Sequence, residues 1–142
     1  GRYTSAEVTK KIIDYSKSIN KTPLIANDYP GFISNRILLP MINEAIEALD
    51  SGVSDVKSID GIMKLGMGHP MGPLQLADLI GLDVCKSILE IMHTGLCNEK
   101  YKPNKLLIDL VNKGNLGVKS GEGFYNYSNS KKAEVVSKRF SK

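Results

Sequence analysis

Between Gly31 and Leu49 the chain reads GFISNRILLPMINEAIEAL, with apolar residues at Leu38, Leu39, Ile42, Ile46 and Leu49. That spacing is the period of an α-helix with one buried stripe. Followed back toward its start, the same row contains Asn35, while Arg36, Asn43, Glu47 and Asp50 share the opposite, polar side. An amide in an apolar row needs a reason that Arg36, on the polar side, does not. Pro40 lies inside the same helix, where it removes one backbone hydrogen bond and bends the axis. A bent helix with apolar positions on both sides predicts a central packing helix or an interface.

The same pattern predicts the elements on either side. Thr4-Ser5-Ala6-Glu7 spells a capping box, and Val8, Ile12, Tyr15 and Ile19 come after it at helical spacing toward a stop at Asn20. Thr22 to Ala26 reads as a very short apolar strand before the Asp28-Tyr29-Pro30-Gly31 turn, and it has no visible partner. After the helix from Phe32 to Asp50, further helices are expected over Asp55–Leu65 with Ser54 as cap, over Leu74–Ile80 stopped by Gly81, and over Asp83–Thr94. Another opens after Pro103 and closes at Gly114, burying Leu106, Leu107, Leu110 and Val111. Beyond Gly114 the chain is glycine-rich, then basic, and its last dozen residues are expected to be mobile.

Composition changes this picture little. The 142 residues are 42% hydrophobic and 24% charged, as in an ordinary globular domain. The longest apolar run, Ile37 to Ile42, is far too short to span a bilayer, and no cationic, apolar leader opens the chain, so a cytoplasmic protein is expected. Cys85 and Cys97 lie in or beside helical patterns and read as free thiols; His69 and His93 are far apart and form no metal cluster. The net charge of +4 resides wholly beyond Tyr127, where five cations face one acid. With no aromatic platform beside it, that tail is not expected to bind nucleic acid.

Two stretches concentrate unusual residues. Gly66-Met67-Gly68-His69-Pro70-Met71-Gly72 mimics a dinucleotide fingerprint, but it comes after a helix instead of a strand and carries Pro70, so it reads as a rigid turn between helices. Its methionines could fill the core or line an apolar pocket. In Lys119-Ser120-Gly121-Glu122-Gly123-Phe124-Tyr125 the glycines allow a tight path that the aromatics anchor, and by itself this makes Lys119 a surface lysine.

Three stretches in fixed order, DYPGFISNRILLP (28–40), MKLGMGHPMGPLQLADLIGLD (63–83) and GVKSGEGFYNY (117–127), resemble the C-terminal domain of the L-3-hydroxyacyl-CoA dehydrogenase family, particularly its short 3-hydroxybutyryl-CoA dehydrogenases. The resemblance implies an all-α domain of about five helices over residues 28–127. Before it, residues 1–27 are similar to the last helix and short strand of a Rossmann domain otherwise missing here, and residues 128–142 form a basic tail. It implies an enzyme of fatty-acid metabolism that oxidises the 3-hydroxyl of an acyl-CoA, passing hydride to NAD while a His–Glu pair takes the proton. That pair belongs to the missing domain, so the chain alone is expected to be inactive. Asn35 matches a residue near the reacting end of the substrate and is the catalytic candidate. Met71 and Leu74 match the acyl end of the cleft, Lys119 matches a lysine reaching the NAD, and the helical domain implies a homodimer. Two readings from other classes remain, a helical dimerisation module without chemistry and a basic-tailed module for an acidic partner.

Overall fold

A computed structural model describes residues 3–141. Among them, six α-helices succeed one another: α1 (Ala6–Ser18), α2 (Phe32–Asp50), α3 (Val56–Met67), α4 (Pro73–Ile80), α5 (Leu82–Leu96) and α6 (Lys105–Asn112). Two-residue strands β1 (Tyr125–Asn126) and β2 (Val135–Val136) pair antiparallel near the end. The helices lie where the apolar period puts them, with caps shifted by a residue. Ser5, one residue after the expected Thr4, accepts from the Val8 amide at 3.2 Å, and Asp55 instead of Ser54 accepts from the Ser58 amide at 2.8 Å. Each satisfies an orphan donor of a first turn.

The core is built around α2, which packs against α3, α4, α5 and α6. Its stripe of Leu39, Ile42 and Ile46 is sealed, together with Leu89 and Met92 of α5 and Leu107 and Leu110 of α6. The polar side of α2 does more than meet solvent. The Asn43 side chain donates to the Lys102 carbonyl at 3.1 Å and accepts from the Asn104 amide at 2.9 Å, while Glu47 accepts from the Asn104 side chain. Asn104 in turn caps α6 through the Leu106 amide, so the polar row of one helix fixes the start of another.

Two stretches depart from expectation. The strand expected over Thr22–Ala26 does not form, and Leu24 and Ile25 stand 90% and 75% exposed. A strand needs a neighbour for its ladder, and among the described residues none lies beside it. Helix α1 likewise buries no residue and leaves Ile12 and Tyr15 uncovered. The basic tail, expected to be mobile, is docked. The Ser137 amide donates to the Phe124 carbonyl at 3.0 Å, its hydroxyl donates to Glu122 at 2.7 Å, and Arg139 pairs with Asp109 at 2.6 Å. Phe140 lies with its ring centroid 5.6 Å from that of Phe124. Charge count concealed the apolar side chains of Ala133, Val136 and Phe140 that pack against the core.

Phe140→Ala should therefore destabilise the chain by about 1 to 3 kcal/mol, the discounted cost of removing a half-buried aromatic. Urea denaturation would read this as a lower midpoint at unchanged slope, whereas an unchanged midpoint would mean that the tail is not held.

Candidate functional site

The turn that launches α2 is tightly fixed. Gly31 takes the left-handed conformation (φ 82°), and a Cβ there would lie 2.4 Å from Met92 Sδ, so glycine lets the turn rest directly on α5. Phe32 comes next at φ 49°, which is costly for a side chain of its size. One turn further on stands Asn35. It is half-buried at the end of the apolar stripe, and its amide has no hydrogen-bond partner among the described residues. The other side of the same first turns is apolar and open, although Asn35 itself does not line it. Phe32, Ile33 and Ile37 are each more than half exposed, and Leu24, Ile25, Phe32, Ile33 and Arg36 line a cleft of about 640 Å³.

Lys119 lies in a short 3-10 turn (Val118–Ser120) seated against the junction of α4 and α5. It is half-exposed and pairs with Asp83 in the first turn of α5, an interaction that holds the Asp83 carboxyl below its usual range. Met71 is half-buried in the turn before α4. Leu74 is a different case: it is fully buried in the core, which accounts for it without an open cleft. Asn35 stands in the first turn of α2 and Lys119 in the turn seated against the start of α5, and the cleft at the first turns of α2 is lined by neither. His93 Nε2 meets Glu99 at 2.9 Å near the C-terminal end of α5, with Lys102 sharing the carboxylate. His93 follows Met92, on which Gly31 rests, so this surface pair belongs to the stretch of α5 that backs the turn before α2.

Two buried carboxylates that sequence reasoning passed over hold the site's loops. Asp60 of α3 accepts from the Leu74 and Gln75 amides at 2.8 and 3.0 Å, capping α4 from another helix, and from the Tyr125 hydroxyl at 2.7 Å. Asp78 of α4 accepts from the Phe124 and Tyr125 amides at 3.0 and 2.9 Å and from the Tyr127 hydroxyl at 3.0 Å. The glycines of both motifs make room for them. A Cβ on Gly72 would lie 2.2 Å from the Asp60 carboxyl carbon, and a Cβ on Gly123 would collide with Asp78 Oδ1. Burial raises the Asp60 carboxyl despite its donors and pushes Asp78 up to about 7, with the charge of Asp60 adding to the effect. The signal was available in sequence: Asp60 comes four residues after Val56 and Asp78 four after Leu74, so each sits in an apolar row as Asn35 does.

For a dinucleotide, the described residues offer the Lys119 ammonium, which is half-exposed and could reach an anionic or carbonyl group at the rim. No glycine-rich turn leading from a strand into a helix occurs among them, so they fit an edge contact and not a cradle.

A family profile for the 3-hydroxyacyl-CoA dehydrogenase C-terminal domain matches residues 31–127. The chain is 56% identical over 127 residues to a probable 3-hydroxybutyryl-CoA dehydrogenase of Deinococcus radiodurans, covering 89% of this chain and 46% of that protein. It is 52% identical over 118 residues to the 3-hydroxybutyryl-CoA dehydrogenase of Bradyrhizobium diazoefficiens, covering 83% of this chain and 40% of that one. The crystal structure of (S)-3-hydroxybutyryl-CoA dehydrogenase from Ralstonia eutropha superposes with a TM-score of 0.88 at 43% identity, over 91% of this chain and 46% of that chain. The chain thus spans less than half the length of these relatives.

Asp78 generates a pH prediction. Its folded value lies above the ordinary carboxylate value of 3.8, so the folded chain holds this proton more tightly than the unfolded chain does. Its contribution to stability is complete below about pH 4 and is lost as pH rises through about 7, by up to about 4 kcal/mol. Urea midpoints at pH 4.5 and 7.5 should differ more for wild type than for Asp78→Asn. Equal differences would show that Asp78 does not titrate in this window.

Proposed function

The chain belongs to the 3-hydroxyacyl-CoA dehydrogenase family as its C-terminal helical domain, and on that premise we propose that it is the substrate-facing half of an NAD-dependent 3-hydroxybutyryl-CoA dehydrogenase of fatty-acid metabolism. The observation that carries this reading is the Asn35 amide, half-buried at the end of the buried stripe of α2 and without a hydrogen-bond partner among the described residues. A structural amide in such a row would be satisfied inside the domain. One without a partner is free to hydrogen-bond a polar group of a substrate seated there, donating and accepting without being ionised. In this reading Asn35 orients the reacting end of a 3-hydroxyacyl or 3-oxoacyl thioester.

The apolar groups around it match the other half of the reading. The uncovered row of α1, the exposed Leu24 and Ile25, and the first turns of α2 are the faces on which a preceding Rossmann domain would rest, enclosing the reacting atoms between the two. NAD, when bound, accepts the hydride from C3, and the His–Glu pair that takes the hydroxyl proton is assigned to that preceding domain. Met71 contributes apolar surface at the acyl end, and Lys119 meets the cofactor at its edge. Leu74 supports the Met71 turn from the core instead of touching substrate.

A homodimer is part of the proposal. A nearly wholly apolar groove of about 390 Å³ runs between α2 and α3, lined by Met41, Ala45, Ala48, Val53, Ile62 and Met63. Ile62, Leu65 and Met67 extend it across the outer face of α3. A second copy would cover it by a two-fold contact. Sedimentation at tens of micromolar should give a dimer that Ile62→Asp dissociates; a wild-type monomer would remove this part of the proposal.

Asn35→Leu tests the central assignment. The urea midpoint of the chain should stay the same or rise slightly, because no partner is stranded and apolar burial is gained. In the two-domain enzyme kcat/KM should fall by about 10- to 1000-fold. A destabilised chain with near-normal activity would make Asn35 a core residue.

A further inference from the structure

Asp83 and Lys119 lie 36 positions apart in sequence and meet at 2.5 Å at the α4–α5 junction. Asp83 Oδ1 is buried and has no well-directed hydrogen-bond donor, although the side chain as a whole is 38% exposed. The Lys119 ammonium is the group set against that oxygen, and it holds the carboxyl below its usual range. The same corner is shaped to admit that ammonium. Gly81, at φ 104°, takes a conformation that favours glycine, and a Cβ there would approach Lys119 Nζ to 3.0 Å and Asp83 Oδ1 to 3.1 Å.

The loop that carries Lys119 is anchored on both flanks of this corner. The Leu82 amide donates to the Leu116 carbonyl at 3.2 Å, and Gly117 packs so closely on Asp78 that a Cβ would lie 2.2 Å from its carbonyl oxygen. The Ser120 hydroxyl closes the loop on itself through the Leu116 amide at 2.8 Å and the Gly117 and Glu122 carbonyls at 3.1 and 2.9 Å. The backbone under Lys119 is therefore fixed, and what remains variable is its long, flexible side chain, which carries the rotamer freedom of any lysine. An ion pair at its tip removes that freedom.

We propose that Asp83 is a positioning residue for Lys119: it holds the ammonium, through the room left by Gly81, in the orientation in which it meets the cofactor. The proposal rests on the reading of Lys119 as a cofactor contact. Pre-ordering of the side chain lowers the entropy lost on binding, so its effect falls on cofactor affinity and not on the chemical step.

The test uses the two-domain enzyme with Lys119→Ala, Asp83→Asn and the double variant, together with NMR of the lysine ammonium groups. Asp83→Asn should raise the KM for NAD by about 3- to 10-fold with kcat within about twofold, and it should add nothing in the Lys119→Ala background. The Lys119 ammonium resonance, protected from exchange in the wild type, should disappear in Asp83→Asn. A KM for Asp83→Asn equal to or below that of wild type overturns the proposal. So does a full additional effect in the Lys119→Ala background, which would mean that Asp83 acts through the fold. Loss of the resonance with an unchanged KM in Lys119→Ala would instead overturn the cofactor reading of Lys119 while leaving the pairing intact.

Discussion

The site depends on one buried carboxylate. Asp78 points from α4 into the core, and its two oxygens receive two backbone amides and a phenol from the segment between Phe124 and Tyr127. Those contacts fold the end of the domain back onto its centre, and Asp60 repeats the device one helix earlier by joining α3, α4 and Tyr125. Burying carboxylates costs free energy, which their donors offset only if the loop takes one particular path. Gly72, Gly117 and Gly123 are the positions where that path leaves no space for a side chain. The same anchoring sets Lys119 against the start of α5 and gives the tail its docking place on Phe124 and Glu122.

Much of this was readable in the sequence because helices announce themselves locally. The stripe from Leu38 to Leu49, the stop at Gly81 and the close at Gly114 each depend on residues within one or two turns, and α2 runs over Phe32–Asp50 as its period implies. Contacts between distant segments were not readable in the same way. Asn43 and Glu47 looked like a solvated face, yet they grip Lys102 and Asn104 nearly sixty residues on. The tail looked mobile because its charge outweighs its few partly buried apolar side chains in any count. Thr22–Ala26 failed as a strand for the opposite reason, since its local apolarity is genuine but a ladder needs a neighbour.

Polar residues in apolar rows were the most informative signal, and their fates divide by partnership. Asp60 and Asp78 are saturated with donors and hold the fold; Asn35, half-buried, has no partner among the described residues. Apolar side chains are left uncovered along α1 and the first turns of α2, and again along α3 and the groove it forms with α2.

Complementation decides whether the chain is half of a catalytic unit. The purified chain should form no NADH from 3-hydroxybutyryl-CoA and NAD, and a Rossmann domain of this family bearing the His–Glu pair should form little by itself. The two together, joined or mixed, should give turnover well above the sum of the parts. Turnover by the chain alone, or no gain on joining a correctly folded Rossmann domain, would contradict the assignment of this chain as the substrate-facing half.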